Sequence, residues 1–483
     1  MSKIVGRRKE QEILRKLWRS KGAEMVAIYG RRRIGKTFLV RELFSTEKRY
    51  FELTGKKDAA LNEQLINFAE AFSKTFYSGI ALAVPKSWRD ALSLLTREIE
   101  KTPSQKCLLF FDELPWLAAQ KSGFIEALDY FWNSSWSQMS NLKVVLCGSA
   151  ASWMLEHLIH AKGGLHNRIT RIIQLQPLSL AETKDYLSSR KIRLNEKHLL
   201  DLYMVMGGIP YYLNSIEAGK SAEQNIQEIC FTQNGVLLTE FNRLFHSLFD
   251  DAETHLRIIR EIARKREGIS RGDLLSKLGM LSGGTFKKRL AELEAAGFIR
   301  GFIPYRYKKR EQHFRVLDEY SAFYLTWIDP VVEKGFPQTS YWKSCLRSSK
   351  WASWAGYAFE SVCFKHLPQI LKALRLNSIP CEVGNWRFIP KKGVKETGVQ
   401  IDLLFDRQDN AVTLCEIKYC TNKYVIDKAY AKELHRKIDI FLEKTRTNKQ
   451  VFLAPITTFG IKKGLWSNEL ATQEIVLKDL FAF

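Results

Sequence analysis

The run Gly30-Arg-Arg-Arg-Ile-Gly35-Lys36-Thr37 places two glycines, a lysine and a hydroxyl at the spacing of a phosphate-wrapping loop. Glycines let the backbone curl so that successive N–H groups face phosphate oxygens. The run follows an apolar strand-like stretch (26–29) and opens a helical one, so a helix N-terminus adds its partial positive charge. In this reading Lys36 reaches the β- and γ-phosphates of ATP, Thr37 Oγ ligates Mg²⁺, and Gly30, Arg33 and Gly35 line the loop. Downstream, Leu108-Leu-Phe-Phe-Asp112-Glu113 reads as a buried strand ending in two acids. Asp112 is expected to hold Mg²⁺ through water and Glu113 to polarise the attacking water. A carboxylate pair merely meeting solvent is the plain alternative, which the phosphate loop upstream disfavours.

Two further positions carry both readings. Ser149, after Gly148 at the end of the next strand, could orient the water or the γ-phosphate, or could simply close a turn. Arg168, after His166-Asn167, could stabilise charge as the γ-phosphate leaves, or could be one surface cation among many.

A second constellation lies near the C-terminus. Glu360 sits in a helical stretch, Asp402 in the strand VQIDLLFD and Glu416 and Lys418 in the strand LCEIKY. Fourteen residues separate Asp402 from Glu416, enough for a hairpin, and alternation along a strand puts Glu416 and Lys418 on one face. Carboxylates that bind a divalent cation, beside a lysine that positions water and stabilises developing charge, are the parts of a metal-dependent phosphodiesterase. Charges ending three ordinary elements are the alternative, but unpaired charge inside apolar runs is costly. Asp402 and Glu416 are therefore the expected metal ligands.

A third group is basic. Residues 254–316 read as three helices and a short ribbon, the order of a winged helix-turn-helix whose second helix can enter a DNA major groove. That stretch holds 16 Lys and Arg against 6 Asp and Glu. Lys287, Lys288 and Arg289 fall on the expected recognition helix, and Arg306, Lys308, Lys309 and Arg310 on the wing. Service as an intramolecular lid or a protein-contact module is the competing use of such an element.

The elements positioning these groups divide the 483 residues into five segments. Residues 1–180 alternate strands (25–30, 107–113, 143–149, 172–178) with helices, which argues for a parallel sheet covered by helices. Residues 181–250 read as a helical lid broken at Gly207-Gly-Ile-Pro210, and 251–316 as the winged helix. Residues 317–349 form an aromatic bridge, and 350–483 return to α/β. The net charge of +23 suits a polyanionic partner, which releases counterions on binding. No apolar run approaches the ~20 residues of a membrane span, and the charged start lacks a signal-peptide core, so a cytoplasmic protein is expected. The eight cysteines are scattered without a Cys-x-x-Cys pair, so neither disulfides nor zinc is expected.

Two resemblances add to this. Val5-Gly-Arg-Arg-Lys-Glu-Gln-Glu-Ile-Leu, the GRRRIGKT loop, LLFFDE, CGSA, NRITRIIQLQPLS and GGIPYYL occur in an order that resembles archaeal-type ATPases of the STAND/AAA+ group. The resemblance implies that the leading segment packs near adenine, and that Gly208-Ile-Pro210 of the lid closes over the nucleotide. Asn167 departs from the family, which usually has Gly there. The C-terminal segments VLDEYSAFYLTWIDPVV, GYAFESV, VQIDLLF and CEIKY resemble the PD-(D/E)xK nuclease superfamily, in the restriction-endonuclease-like form appended to such ATPases. That implies catalytic roles for Glu360, Asp402, Glu416 and Lys418. The combined expectation is an ATP-hydrolysing switch that binds DNA and carries a Mg²⁺-dependent nuclease, able to form ATP-dependent homo-oligomers. The rival expectation is a nucleotide-gated regulator or scaffold with an inert nuclease fold.

Overall fold

The computed structural model describes residues 4–119, 121–159, 165, 167–308, 311–332, 335, 341–390 and 397–482. The chain condenses into two compact units. One comprises residues 1–177, 248–250 and 288–297; the other comprises 178–247, 251–287 and 298–483.

The first unit is built on five parallel strands: β1 (Glu24–Tyr29), β2 (Tyr50–Thr54), β3 (Cys107–Asp112), β4 (Leu142–Gly148) and β5 (Arg171–Gln174). Their order is β2-β3-β4-β1-β5. β3 and β4 are buried along their whole length, which is why they read as unbroken apolar runs. Helices Lys36–Phe44, Leu61–Phe76, Trp88–Glu100 and Phe124–Ser134 connect and cover the sheet. Phe111, Phe124 and Trp88 fill one side with edge-on ring contacts at 4.9 and 5.3 Å. The strand order has a chemical consequence: β4 lies between β1 and β3, so the phosphate loop, Ser149 and Asp112 leave neighbouring strand ends. β2 is a strand that the sequence patterns do not single out; only Phe51 and Leu53 of it are buried. β5 ends at Gln174 rather than running to 178, because Pro177 has no N–H to continue a ladder.

The second unit begins with helices Leu180–Ser189, Glu196–Met206 and Ala222–Phe231, capped respectively by Ser179 with Glu182, by Asn195, and by Ser221 with Gln224. Gly208 is forced by backbone approach. Its carbonyl accepts from Leu178 N at 2.7 Å, and a Cβ there would sit 1.8 Å from the Leu178 carbonyl oxygen. Helices Ala252–Arg264 and Arg271–Leu278 follow, with β6 (Ile269–Ser270), β7 (Ile299–Phe302) and β8 (His313–Val316) in an antiparallel ribbon. The helix Gly284–Ala295 is shared between the units, dividing at Lys288. Trp327, Trp342, Trp351 and Trp354 then interlock, Trp342 meeting Trp351 edge-on at 5.2 Å.

The C-terminal part holds two small sheets. β9 (Cys381–Phe388), β10 (Val399–Arg407) and β11 (Ala411–Cys415) run antiparallel, and β13 (Gln450–Leu453) adds parallel to β11. β12 (Ile417–Lys418), β14 (Ile456–Thr457) and β15 (Ile475–Val476) form a parallel trio. The helix Lys428–Thr445 crosses between β12 and β13, and its Phe441 meets Trp386 of β9 edge-on at 5.2 Å. No helix among the described residues is long and apolar enough to cross a membrane.

The Gly208 contact sets the first prediction. Gly208→Ala should destabilise the protein by about 2–4 kcal/mol, because both clashing partners are backbone. Gly356, mid-helix with open space where a Cβ would stand, should gain up to about 1 kcal/mol as Ala. Urea denaturation of both variants checks the pair; equal effects would refute the packing account.

Candidate functional site

In the first unit, β1 ends at Tyr29 and the chain turns through Gly30 into the helix starting at Lys36. Gly30 has φ 147° and its Cβ position lies 2.4 Å from the Leu175 carbonyl oxygen, so no side chain fits. Gly35 (φ 91°) and Arg33 (φ 70°) also take left-handed backbone. Lys36 is buried, with Nζ donating to the carbonyls of Gly30 and Arg31 at 3.0 Å each. Thr37 Oγ1 donates to Asp112 Oδ2 at 2.7 Å across neighbouring elements. Burial raises the Asp112 carboxyl above its ordinary value; Thr37 pulls it back, and the Glu113 charge pushes it further up. A buried carboxylate in that state, touching a threonine hydroxyl, fits Mg²⁺ held by Thr37 and Asp112.

Glu113 (φ 47°) turns its carboxylate to β4, where Ser149 Oγ donates at 2.8 and 2.6 Å and Ser149 N at 3.1 Å. Of the two readings of Ser149, the geometry favours the one in which it does more than close a turn. Arg168 is exposed, and no side-chain partner holds it among the described residues. Asn167 before it takes φ 62°, a left-handed conformation that Asn tolerates better than most residues, which explains how it stands where relatives use Gly. Pro210 belongs to the second unit, where it opens the short helix Pro210–Leu213 behind Gly208.

Two residues of this site escape the motif reading. Arg7 is buried, donates Nη2 to the Ile34 carbonyl of the loop at 3.2 Å, and contacts the Gln176 carbonyl through Nη1. Gly55, just beyond β2, donates to the Asp112 carbonyl at 2.9 Å and leaves no room for a Cβ against Glu113. The glycine–arginine pair at the chain start is a visible signal for Arg7; nothing local marks Gly55.

In the second unit the four C-terminal residues come into electrostatic reach of one another. Glu416 is not inside a continuous strand, as alternation suggested. It is the single residue by which the chain leaves β11 at Cys415 and enters β12 at Ile417, so it is free to turn inward. Lys418 Nζ meets Glu416 Oε1 at 2.9 Å. Asp402 sits at an irregularity of the β9–β10 pairing and accepts from Ile417 N at 3.0 Å and Gln400 Nε2 at 3.2 Å. Burial, then the Glu416 charge, pushes the Asp402 carboxyl up to about 6. Burial, then Asp402, raises Glu360 well above the carboxylate range. Burial works against the Glu416 charge too, but Lys418 and Lys437 outweigh it and hold this carboxyl below its usual range.

Lys437 and Tyr430 are the residues that strand-based reasoning misses. Lys437 Nζ lies 2.8 and 2.9 Å from the two Glu416 oxygens, and Tyr430 OH donates to Oε1 at 2.8 Å. They stand seven apart on the helix Lys428–Thr445, one face two turns long, and that spacing was the available signal. Among the described residues, no three His, Cys, Asp or Glu side chains are grouped to ligate one metal ion. The charge balance nevertheless fits a divalent cation at Asp402 and Glu360, the two carboxylates whose ionisation the enclosure resists. Glu416 could join only by loosening Lys437.

The basic group corrects the reading of a free DNA-binding ribbon. Lys287, Lys288 and Lys308 are exposed, but Arg289 is half-buried and paired with Glu292 at 3.1 Å. The ribbon tip turns onto the C-terminal sheet: Arg306 contacts the Thr445 carbonyl, Tyr305 OH donates to Asp406 at 2.7 Å, and Tyr307 OH to the Arg387 carbonyl at 3.0 Å. Tyrosines with both ring and hydroxyl satisfied by the neighbouring sheet make an internal joint. Lys309 and Arg310, like His166, lie outside the described residues.

Residues 4–216 match the family model of an ATPase domain predominantly from Archaea. The chain thus carries an ATPase domain and uses nucleotide. Over 444 residues it is 23% identical to an uncharacterised protein of Methanocaldococcus jannaschii, covering 90% of this chain and 91% of that one. Among solved structures it is similar to a Walker-type ATPase of Pyrococcus abyssi (18% identity, TM-score 0.46, 67% of this chain and 96% of that one). It is also similar to the Aeropyrum pernix ORC2 protein in ADPNP–ADP complexes (16% identity, TM-score 0.46, 72% and 96%).

The raised Asp402 carboxyl makes a stability prediction. Its folded pKa of about 6 exceeds the ordinary 3.8, so the native state binds this proton more tightly than the unfolded chain does. The resulting penalty is absent below about pH 4, grows up to pH 6 and is complete above it. Asp402→Asn, which keeps the acceptor for Ile417 N, should stabilise the metal-free protein by on the order of 1–3 kcal/mol at pH 8. The gain should shrink towards pH 4.5; denaturant titrations in EDTA at both values measure it.

Proposed function

We propose that this protein is an ATP-controlled, metal-dependent phosphodiesterase acting on DNA. The observation that carries the reading is the enclosed cluster of Glu360, Asp402, Glu416 and Lys418, three acids and a lysine from separate elements facing one another. Enclosing like charges is costly unless a cation or a reaction makes use of them.

At the nucleotide, Lys36 takes the β- and γ-phosphates and Thr37 with Asp112 holds Mg²⁺. Glu113, oriented by Ser149, polarises the attacking water, and Arg168 meets the charge that develops as the γ-phosphate leaves. At the C-terminal cluster, Asp402 and Glu360 supply oxygens to a divalent cation. Such a cation, when bound, supplies a hydroxide at neutral pH and shields the scissile phosphate. Lys418 stands beside the attacking water and offsets the charge that builds on the phosphorane oxygens. Glu416 fixes Lys418 in place and can lend an oxygen to the cation. Exposed Lys287, Lys288 and Lys308 add sequence-independent attraction for a phosphate backbone.

One observation favours a second reading. Lys437 spans both oxygens of Glu416, so the cluster can neutralise itself without a metal. In that reading the C-terminal part is an inert scaffold that binds DNA or protein under nucleotide control.

Two experiments separate these readings. Glu113→Gln should lower the ATPase kcat at least about 100-fold while nucleotide affinity stays within a few-fold; wild-type turnover would remove Glu113 from the chemistry. With plasmid and single-stranded DNA, Mn²⁺ or Mg²⁺, and with or without ATP, wild type should cleave, and Asp402→Ala and Lys418→Ala should not. A wild-type protein that cleaves nothing under all these conditions leaves the scaffold reading standing.

A further inference from the structure

The second unit contains a cleft outside the acid cluster that the roles above do not use. It encloses about 640 Å³ including its mouth. Its walls are the end of the helix Ala252–Arg264 with Arg266, the exit of β8 at Arg315, and the helix Ser349–Lys365 with Trp354, Tyr357 and Glu360. Glu360 therefore belongs both to the acid cluster and to this wall.

Arg315 is the unusual group. It is 8% exposed, its Nε has no hydrogen-bond partner, and its guanidinium lies 4.0 Å from the centre of the Phe364 ring. No hydrogen bond or ion pair among the described residues engages its side chain. Across the ribbon it stands directly opposite Arg300, and like charges directly opposed on an antiparallel pair are destabilising. Burial, partly offset by Glu360 and reinforced by Arg300, pulls Arg315 down to about 10. The acid that opposes its charge is Glu360, whose own ionisation is resisted by burial and by Asp402. Arg266, also without an ion-pair partner among the described residues, lies on the same wall with its guanidinium 5.8 Å from the Tyr357 ring. Two arginines thus face one cleft without a matching anion. A planar guanidinium fork matches phosphate oxygens.

We propose that this cleft is a phosphate subsite for a single nucleic-acid strand, with Arg315 and Arg266 as the groups that hold a phosphate next to the acid cluster. The proposal rests on the phosphodiesterase reading for its choice of ligand, but the subsite is a binding claim and stands or falls separately. A single strand is the form specified, because a duplex is far too wide for a cleft of this size whereas one backbone with its phosphate can enter. Tyr357 and Trp354 offer ring faces to an unpaired base, and Glu319 Oε1, a wall atom with no hydrogen-bond partner, can accept from a base amine or hydroxyl. The phosphate held can be a terminal 5′-phosphate or an internal one.

The test uses the full chain carrying Lys36→Ala to silence the nucleotide site, in EDTA so that no strand is cut. Binding of fluorescent octathymidylate, with and without a 5′-phosphate, is followed by anisotropy across a salt series. Arg266→Ala and Arg315→Gln should each weaken binding about tenfold and flatten the salt slope by about 0.7, the loss of one single-strand phosphate contact. If only the 5′-phosphorylated strand responds, the held phosphate is terminal; if both respond, it is internal. Asp402→Ala should bind like the parent, which separates this subsite from the metal-dependent chemistry. Should wild type fail to cleave DNA while the arginine variants still lose binding, the subsite survives and the nuclease reading falls. Arg266 lies half-exposed, so its variant remains informative even if Arg315→Gln does not fold. Unchanged affinity and slope in Arg266→Ala, together with an unchanged or unfolded Arg315→Gln, would overturn the proposal.

Discussion

A carboxylate withdrawn from water must be met by a proton, a donor or a cation, and that requirement organises both candidate sites. Asp112 meets the hydroxyl of Thr37, Glu113 meets Ser149, and Glu416 meets Lys418, Lys437 and Tyr430. Asp402 and Glu360 are less well met, and their carboxyls are correspondingly pushed towards the protonated form. The unevenness is informative. Where an acid is fully compensated by the chain, that part of the site is set; where it is not, the fold leaves a place for a charge that arrives from outside. Arg315 and Arg266 present the opposite deficit beside Glu360, which is the pattern a phosphate next to a cation would satisfy.

Within the second unit, segments that composition separates are joined by specific polar contacts. His366 Nε2 accepts from Leu180 N at 3.0 Å, and Lys365 meets Glu319 at 2.6 Å. Tyr419 OH bonds Asp201 and Lys197 at 2.7 and 2.6 Å. Tyr419 directly follows Lys418, so a displacement of the helix Glu196–Met206 is carried to the residue next to the cluster lysine. The ribbon tip at Tyr305 makes a comparable joint to β10. These contacts give the helical segment, the ribbon and the C-terminal sheets a continuous physical connection, the minimum that any control of the cluster requires.

The phosphate loop was legible because its requirements are local: a strand end, glycines at fixed offsets, a lysine and a threonine. Asp112 was legible for the same reason, as the polar end of a wholly buried strand. The parallel sheet followed from apolar runs alternating with helical stretches, but β2 did not, since an edge strand with two buried residues leaves a weak pattern. In the C-terminal part, charges inside apolar strands pointed to Glu416 and Asp402. The partners that decide their ionisation lie on other elements: Lys437 and Tyr430 on a helix downstream, Arg315 on a ribbon upstream. No spacing rule connects those positions, because tertiary folding alone brings them together. The ribbon's positive charge suggested a surface for DNA, yet its tyrosines and Arg306 are spent on the neighbouring sheet; sequence reports charge but not which way a side chain faces.

The central claim is that the C-terminal acids form a metal-binding phosphodiesterase centre rather than a self-neutralised salt-bridge cluster. Calorimetric titration of Mn²⁺ into nucleotide-free protein bearing Lys36→Ala and Asp112→Ala tests it most directly, because the nucleotide-site metal is then removed from the measurement. The account predicts one divalent-ion site that disappears when Asp402→Ala is added and tightens when Lys437→Ala frees Glu416. No binding in either the parent or the Lys437→Ala background, or binding indifferent to Asp402, would contradict it.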